Sequence, residues 1–235
     1  MKKVITAYKN MGETPLECLE RVRKEQKIGA GVPMTYAGRL DPMAEGVLII
    51  LSGDECKNKE KYLGLDKEYE VEVLLNIKTD TQDVLGLITK IDIENVQKIG
   101  SKKEEVVDVK KYIGKFAQEY PVYSSKMIAM KEMPDEMPTK DVEIYSIEKI
   151  DEREVRGIEI AETILERISL VTGDFRQGDI GEEWYAFGEE FGNIPFKIIK
   201  LRVKCSSGTY MRSLAEKMGG LAYTIKRTEV GEYTV

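Results

Sequence analysis

The chain has 235 residues, of which 42% are hydrophobic and 33% are charged, a composition typical of globular proteins. Its net charge of −6 argues mildly against a non-specific nucleic-acid binder, and the lack of histidine removes the commonest general base and metal ligand. Three widely spaced cysteines without a CxxC pair argue against a disulfide framework or a structural zinc site. The N-terminus lacks the apolar region of a signal peptide, and no apolar run is long enough to span a membrane. We therefore expect a cytoplasmic enzyme or binding protein.

The N-terminal part of the chain predicts one helix followed by strands. Residues 13–27 predict a helix, because Thr14 can serve as its N-cap and apolar residues recur on one face. Residues 46–51 form a continuous apolar run, which predicts a strand buried on both faces. Residues 67–77 alternate between apolar and polar side chains, as expected for a half-buried strand. A second strand is expected over residues 83–93, after a polar turn.

The remainder of the chain mixes helices with strands. Residues 101–114 have helical character. Strands are expected over residues 140–151 and 196–208, with a helix over residues 159–171 between them. Residues 209–220 predict a short helix that two glycines terminate, and the final residues predict a further strand.

Two stretches lack a clear period, and the order of the elements indicates the fold class. Residues 130–139 and 172–193 are interpreted as loops or surface insertions. Because helices and strands are mixed without a strict βαβ rhythm, the sequence predicts an α+β fold with a mixed, mainly antiparallel sheet flanked by helices. No internal repeat or linker divides the chain, so we expect a single domain over residues 1–235.

A carboxylate lies between a small-residue turn and the buried strand, in the stretch TYAGRLDPMAEGVLII. Asp41 precedes a proline, which pushes its backbone toward extended or turn geometry and places the side chain at the mouth of a core strand. A cleft with restricted water is one interpretation. An Asx-turn or a helix N-cap is the more frequent role of such a residue.

Two further residues have both a functional and a structural interpretation. Arg212 lies in the predicted short helix, as a surface residue or as an arginine that reaches a buried carboxylate or a phosphate. Tyr69 lies in the alternating strand, where an aromatic side chain usually belongs to the core. Neither residue decides the function alone.

Ordered segments along the chain together resemble the TruB family of pseudouridine synthases. YAGRLDPMAEGVLIILSGDECK matches the family's Gly-x-Leu-Asp-Pro-x-Ala-x-Gly-Val-Leu motif. YLGLDKEYEVEVLLNIKTDTQDVLG matches its Lys-x-Tyr strand and its Thr-Asp-Thr-x-Asp-x-x-Gly turn. The resemblance extends to YKNMGETPLECLERVRK, YPVYSSKM, VKCSSGTYMRSLAEKMG and IKRTEVGEY. It covers nearly the whole chain and is interrupted mainly at residues 90–115 and 151–193.

This resemblance implies the catalytic fold of pseudouridine synthases and an active site without metal or cofactor. Asp41 matches the family's catalytic aspartate, which initiates breakage of the uridine glycosidic bond before the uracil is rotated and rejoined through carbon. Tyr69 matches the tyrosine that stacks on the flipped-out base, and Arg212 matches the arginine that pairs with the aspartate. The implied partner is RNA, with the T-arm of tRNA as the expected substrate, and we expect a monomer.

The resemblance also indicates residues that contact the substrate. Ile225 stands where the family usually has a leucine against the base, and Lys67 lies two residues before the active-site tyrosine. Cationic residues near the cleft are candidate phosphate contacts, namely Lys126, Lys131, Lys204, Lys226 and Arg227. For Lys126 and Lys131 a solvated surface position is an equally good interpretation.

The chain departs from the family pattern at three places, namely the motif turn, one insertion and the C-terminus. Tyr36 stands where a histidine usually helps to hold the opened RNA loop, and Arg39 stands where threonine or alanine is frequent. Both are candidate substrate contacts, and both favour a changed substrate. The segment IAMKEMPDEMPTKD is short and acidic where the family has a longer basic insertion, so we expect weaker and more salt-sensitive RNA binding. The chain is also expected to lack the RNA-binding PUA domain that often follows.

Three alternative functions therefore remain open. They are the same chemistry on another RNA, a non-catalytic RNA-binding or RNA-folding protein on the same scaffold, and a carboxylate-dependent hydrolase. Intact Asp41, Tyr69 and Arg212 argue against a protein that only binds RNA. The hydrolase needs a second carboxylate as acid or base, and no motif places Asp54 or Glu45 in that role.

Overall fold

The computed structural model of the chain describes residues 3–101, 107–124, 127, 134 and 136–235. The candidate phosphate contacts Lys126 and Lys131 lie outside the described residues, as do parts of the segments predicted at 101–114 and 130–139. Within the described part of the chain, no helix has the length and apolar composition that crossing a membrane requires.

An eight-stranded sheet runs through the described residues, beside a two-stranded hairpin. The strands are β1 (Lys3–Lys9), β2 (Met34–Ala37), β3 (Ala44–Ser52), β4 (Lys67–Leu75), β5 (Ile77–Thr79), β6 (Ile88–Ile91), β7 (Gly114–Glu119), β8 (Thr139–Arg156), β9 (Pro195–Cys205) and β10 (Gly220–Val230). The sheet order is β1-β3-β10-β4-β9-β8-β7 with β2 also paired to β3, and β5 and β6 form the hairpin. Strand β10 is parallel to β3, and the other strand pairings are antiparallel. The predicted α+β class is confirmed.

Helices cover both faces of this sheet. They are α1 (Pro15–Glu25), α2 (Lys59–Leu63), α3 (Ile93–Val96), α4 (Gly157–Ser169), α5 (Gln177–Phe191) and α6 (Met211–Lys217). Helix α1 begins as predicted, because Thr14 Oγ1 accepts a hydrogen bond from the Glu17 backbone N–H at 3.2 Å and the Glu17 carboxylate accepts one from the Thr14 N–H at 2.6 Å.

Most of the predicted elements are confirmed. They are the strands at 46–51, 67–77, 140–151 and 196–208 and the helices at 159–171 and 209–220. The strand predicted at 83–93 shortens to β6, because the backbone and carboxylate of Asp80 pair with Leu87 at 3.0 and 2.9 Å and close a turn. The described part of the segment at 101–114 contains a 3₁₀ turn, Val109–Tyr112, where α-helix was expected.

The prediction of a loop at residues 172–193 is wrong, since α5 occupies most of this segment. Ile180, Trp184 and Phe187 recur at helical spacing and are buried against α4 and the sheet. Gly188 allows the two helices to approach, because a Cβ atom there would lie 2.8 Å from the Ala161 Cβ. Glycines within α5 lower its helix propensity, and this hid the apolar stripe.

The sheet separates two hydrophobic clusters, one with α6 and the other with α4 and α5. Neighbouring residues of β4 alternate between them, with Val73 in the first cluster and Leu74 in the second. Strand β10 lies between β3 and β4, and its register places Arg227 opposite Gly46 on one side and Tyr69 on the other. This central position brings the turn before β3 next to the tyrosine of β4.

Candidate active site

A cleft of about 530 Å³ opens where the turn between β2 and β3 meets α6 and the central strands. The three candidate catalytic residues Asp41, Tyr69 and Arg212 all line it. They come from a turn, a strand and a helix that are far apart in the sequence. The fold therefore assembles the predicted trio in one place.

The turn presents the Asp41 carboxylate between two buried anchors. Leu40 belongs to the cluster under α6, and Met43 belongs to the cluster under α4 and α5. The Asp41 side chain keeps 40% of its surface exposed. The Ala44 N–H donates to the Asp41 carbonyl at 3.0 Å, which closes the turn as the sequence Asp-Pro favours. Asp41 therefore has both of its predicted places, with its backbone in a turn and its carboxylate at the cleft.

Arg227 holds this turn from below. Its guanidinium is 1% exposed and donates to the carbonyls of Val47 at 2.8 Å, Gly38 at 2.9 Å and Arg39 at 3.3 Å. Gly46 lets β3 approach the backbone of Arg227 closely, since a Cβ atom at residue 46 would lie 2.2 Å from the Arg227 carbonyl oxygen. Gly46 also has a φ of +108°, which favours glycine. Arg227 was expected to contact phosphate, whereas the structure commits its donors to backbone carbonyls.

Lys9 of β1 is a second buried cation under the turn, and sequence reasoning missed it. Its ammonium is fully buried and donates to the carbonyls of Ala44 at 2.6 Å, Asn10 at 2.9 Å and Pro42 at 3.3 Å. Burial lowers the pKa of Lys9 to about 8, and nearby carboxylates oppose the shift. The sequence contained one indication of this role, since Lys9 lies in the segment YKNMGETPLE, which matches the TruB family and leads into the N-cap of α1.

Arg212 is paired with the candidate nucleophile. Its Nε lies 2.8 Å from Asp41 Oδ2 and 3.9 Å from Asp83 Oδ2. The Nε–H is not directed at an acceptor, so the contact with Asp41 is an ion pair without an aligned hydrogen bond. The other guanidinium nitrogens donate to the carbonyls of Thr81 at 2.8 Å and Tyr123 at 3.4 Å. These two carbonyls set the orientation of the guanidinium in a buried site.

Asp83 is a second carboxylate of the site that sequence reasoning did not single out. Burial raises its pKa, and the positive charge of Arg212 opposes the shift. Its Oδ1 accepts hydrogen bonds from Thr81 Oγ1 at 2.8 Å and from the Leu85 N–H at 3.0 Å. The available signal was the matching turn TDTQDVLG, in which Asp83 is the second aspartate.

Tyr69 and apolar neighbours form the wall beside Asp41. Burial raises the pKa of the Tyr69 hydroxyl, and the adjacent positive charge of Arg227 opposes the shift, so the phenol is neutral near pH 7. Ile225 and Leu40 line the same cleft and are also buried. A flat aromatic or apolar group can pack here within reach of one exposed carboxylate.

The cleft favours a negatively charged ligand. Its charged lining consists of five cations and two acids, namely Arg39, Lys67, Lys140, Arg212 and Arg227 against Asp41 and Glu60. Lys67 is nevertheless buried, and its ammonium donates to the carbonyls of Leu63 at 2.7 Å and Leu65 and to Ser207 Oγ at 3.2 Å. Burial lowers the pKa of Lys67 to about 8. Lys67 therefore supports the wall, whereas the expectation was a substrate contact.

Three of the expected substrate contacts lie outside the cleft lining. The Tyr36 ring is partly buried under α1, with Lys59 Nζ 5.6 Å from its centroid. Lys204 lies 4.0 Å from Glu229 across the sheet. Lys226 lies on the surface, with its Nζ 5.9 Å from the Tyr8 ring centroid. Within the described residues, no group of three or more His, Cys, Asp or Glu side chains is arranged to hold a metal ion.

The fold and the cleft define an α+β protein with a cationic site built around one paired aspartate. The model of the TruB family pseudouridylate synthases, N-terminal domain, matches residues 22–166. The chain belongs to this family, as its sequence motifs predicted.

Individual proteins show the same likeness. The tRNA pseudouridine synthase B of Trichormus variabilis is 28% identical over 234 residues, covering 95% of this chain and 64% of the relative. The tRNA pseudouridine synthase B of Thermosipho melanesiensis is 33% identical over 160 residues, covering 64% of this chain and 50% of the relative. The chain thus spans less than two thirds of the length of these relatives.

Solved structures share the fold at low identity. A chain in a crystal structure of a Cbf5–Nop10–Gar1 complex matches with a TM-score of 0.56 and 17% identity, covering 98% of this chain and 49% of that chain. A chain in a structure of an H/ACA RNP bound to a substrate RNA containing 2′-deoxyuridine matches with a TM-score of 0.53 and 17% identity, covering 98% and 48%. Both likenesses establish the fold.

Proposed function

We propose that the protein is an RNA pseudouridine synthase that isomerises a uridine in the T-loop of tRNA. The observation that carries this proposal is the exposed carboxylate of Asp41, paired at 2.8 Å with buried Arg212 and placed beside the wall of Tyr69 and Ile225. Membership of the family and relatives that are tRNA pseudouridine synthases support the same activity. We further propose that the protein acts as a monomer in the cytoplasm, where its three cysteines stay reduced.

Asp41 initiates the reaction by covalent catalysis, for which a carboxylate needs neither metal nor histidine. The bond that its carboxylate oxygen forms with the substrate breaks again when the product forms, so the free carboxylate is regenerated. The N1–C1′ bond of the uridine breaks, the uracil rotates, and C5 bonds to C1′ while the C5 proton is lost and N1 gains one. Arg212 holds the carboxylate in place through the 2.8 Å ion pair. Tyr69 packs on the uracil as a neutral phenol and can exchange a proton with the ribose.

The depth of the site requires the uridine to leave its helix or loop. The wall residues Tyr69, Ile225 and Leu40 are each less than a tenth exposed, so a stacked base cannot reach them. Extrusion costs a few kcal/mol of unstacking, which ribose and phosphate contacts must offset. Arg39 and Lys140 line the cleft and can make such contacts. Lys204 and Lys226 are further candidates, at exposed positions outside the cleft lining.

The test is pseudouridine mapping on unmodified tRNA transcripts after incubation with the purified protein. Wild type is compared with Asp41→Asn and with Asp151→Asn, a matched change at an exposed residue of β8. We expect one modified T-loop uridine with wild type and Asp151→Asn, and none with Asp41→Asn. Modification by wild type and by both variants contradicts the role of Asp41.

A second candidate is the same reaction on another RNA, favoured by Tyr36 and Arg39, which depart from the family pattern at the motif turn. Mapping of total cellular RNA with the same variants distinguishes it. Modification there without modification of tRNA supports the changed substrate. Silence in both RNA pools contradicts catalysis and favours an RNA-binding protein on this scaffold.

A further inference from the structure

Arg176 contacts two segments next to the cleft, from a part of the chain that the family resemblance leaves out. It lies between α4 and α5, within the interruption at 151–193 and beyond the matched residues 22–166. It caps α5 in a left-handed conformation, with φ of +61° and ψ of +28°. Such a backbone is uncommon for a residue other than glycine and persists where other contacts fix it.

The side chain of Arg176 makes two contacts away from its own helix. Its Nη1 lies 2.7 Å from Asp80 Oδ2 and its Nη2 lies 3.4 Å from Asp80 Oδ1, a fork on both carboxylate oxygens. Its Cζ lies 4.9 Å from the ring centroid of Tyr123. Asp80 is fixed independently, because its Oδ1 also accepts the Leu87 N–H at 2.9 Å.

These two partners belong to the segments that hold Arg212. Thr81, the residue after Asp80, supplies the carbonyl that accepts Arg212 Nη1 at 2.8 Å. Tyr123 itself supplies the carbonyl that accepts Arg212 Nη2 at 3.4 Å. Arg176 therefore connects, from outside the cleft, the two chain segments whose carbonyls orient the partner of Asp41.

We propose that Arg176 is a positioning residue: by binding Asp80 and Tyr123 together, it fixes the two carbonyls that orient Arg212 against Asp41. This inference rests on the proposed function. Arg176 is absent from the cleft lining, so it does not contact the substrate there. Its ion pair is one-third exposed, which alone would make it a minor contributor to stability. Its importance lies in the geometry that it maintains, since a misplacement of about 1 Å can cost about a hundredfold in rate.

The experiment compares Arg176→Ala and Arg176→Lys with Arg153→Ala. Arg153 is a matched control, because its Nη1 lies 2.7 Å from Glu72 Oε1 with similar exposure and neither residue lines the cleft. Single-turnover rate constants at saturating enzyme are measured together with the Kd for the RNA. We expect Arg176→Ala to lower the rate about tenfold or more, with Kd within about twofold of wild type. Arg176→Lys should recover part of the rate, because it keeps the charge and loses the fork.

A double-mutant cycle with Asp80→Asn supplies a second route to the same question. The double variant should lose no more rate than Arg176→Ala alone, because both changes break one contact. The Arg212 Nε–H resonance in NMR gives a readout without turnover, and Arg176→Ala should speed its exchange with water. An unchanged rate, a raised Kd at unchanged rate, or an equal loss in Arg153→Ala overturns the inference. If wild type is inactive and Arg176→Ala leaves the Arg212 resonance unchanged, both the inference and the proposed function are overturned. If wild type is inactive but Arg176→Ala changes that resonance, only the proposed function is overturned.

Discussion

Replacing Arg227 by methionine distinguishes a buried support from a phosphate contact. Arg227→Met keeps an unbranched apolar stem that reaches about as far as Nε and removes all of the arginine donors. Three carbonyls, those of Gly38, Arg39 and Val47, then lose their hydrogen bonds beneath the motif turn. An orphaned buried acceptor such as the Val47 carbonyl costs about 1–3 kcal/mol, and the part-buried carbonyls of Gly38 and Arg39 cost less because water can reach them. Relief from burying the guanidinium charge offsets part of the sum. We expect the free energy of unfolding to fall by about 2–4 kcal/mol.

Urea denaturation measures that loss, and the salt dependence of RNA binding measures the alternative. A phosphate contact contributes about one unit to the slope of log Kobs against log salt, so its removal lowers the slope with little change in stability. Lys226→Met is the matched control, since Lys226 is the exposed neighbour on β10. We expect Lys226→Met to change stability by less than about 0.5 kcal/mol. If Arg227→Met is as stable as wild type and lowers the salt slope, the reasoning is refuted.

Three further predictions concern the support of the cleft. Asp83→Asn should lower the single-turnover rate about tenfold or more with little change in RNA Kd, because it removes one of the two carboxylates beside Arg212; an unchanged rate contradicts this. Burial lowers the pKa of Lys9 to about 8 from 10.5. Below pH 8 the folded protein carries the full cost of burying the charged ammonium, and between pH 8 and 10.5 that cost falls because the folded protein loses the proton before the unfolded chain does. The stability of wild type relative to Lys9→Met should therefore rise by up to about 1.4 kcal/mol per pH unit in that window, measured by urea denaturation, and a constant difference contradicts it. Gly46→Ala should lower the free energy of unfolding by about 2 kcal/mol or more, since the new Cβ meets the Arg227 carbonyl; a thermal melt unchanged from wild type would show that the strands can separate there.

The sequence predicted the central elements because local patterns and packing agree there. The apolar run of β3 and the alternation of β4 have one stable arrangement each, and the cap at Thr14 marks the start of α1. The family motifs then predicted that Asp41, Tyr69 and Arg212 act together, and the structure brings all three into one cleft.

Burial of charged residues could not be predicted in the same way. Lys67 and Arg227 lie on strands with alternating patterns, where a cationic residue looks the same whether it faces solvent or backbone carbonyls. Only the three-dimensional register of β10 between β3 and β4 shows that Arg227 lies under the motif turn. Helix α5 was missed because its glycines obscured the apolar stripe of Ile180, Trp184 and Phe187.

The most direct test of the account is the single-turnover conversion of uridine to pseudouridine by wild type and Asp41→Asn, with RNA Kd measured on both. Asparagine keeps the shape of the side chain and removes the charge that faces Arg212. The account predicts a rate at least about a thousandfold lower, with Kd within about threefold of wild type. An Asp41→Asn protein that binds RNA and converts uridine within about tenfold of the wild-type rate would contradict the assignment of Asp41 as the reactive group.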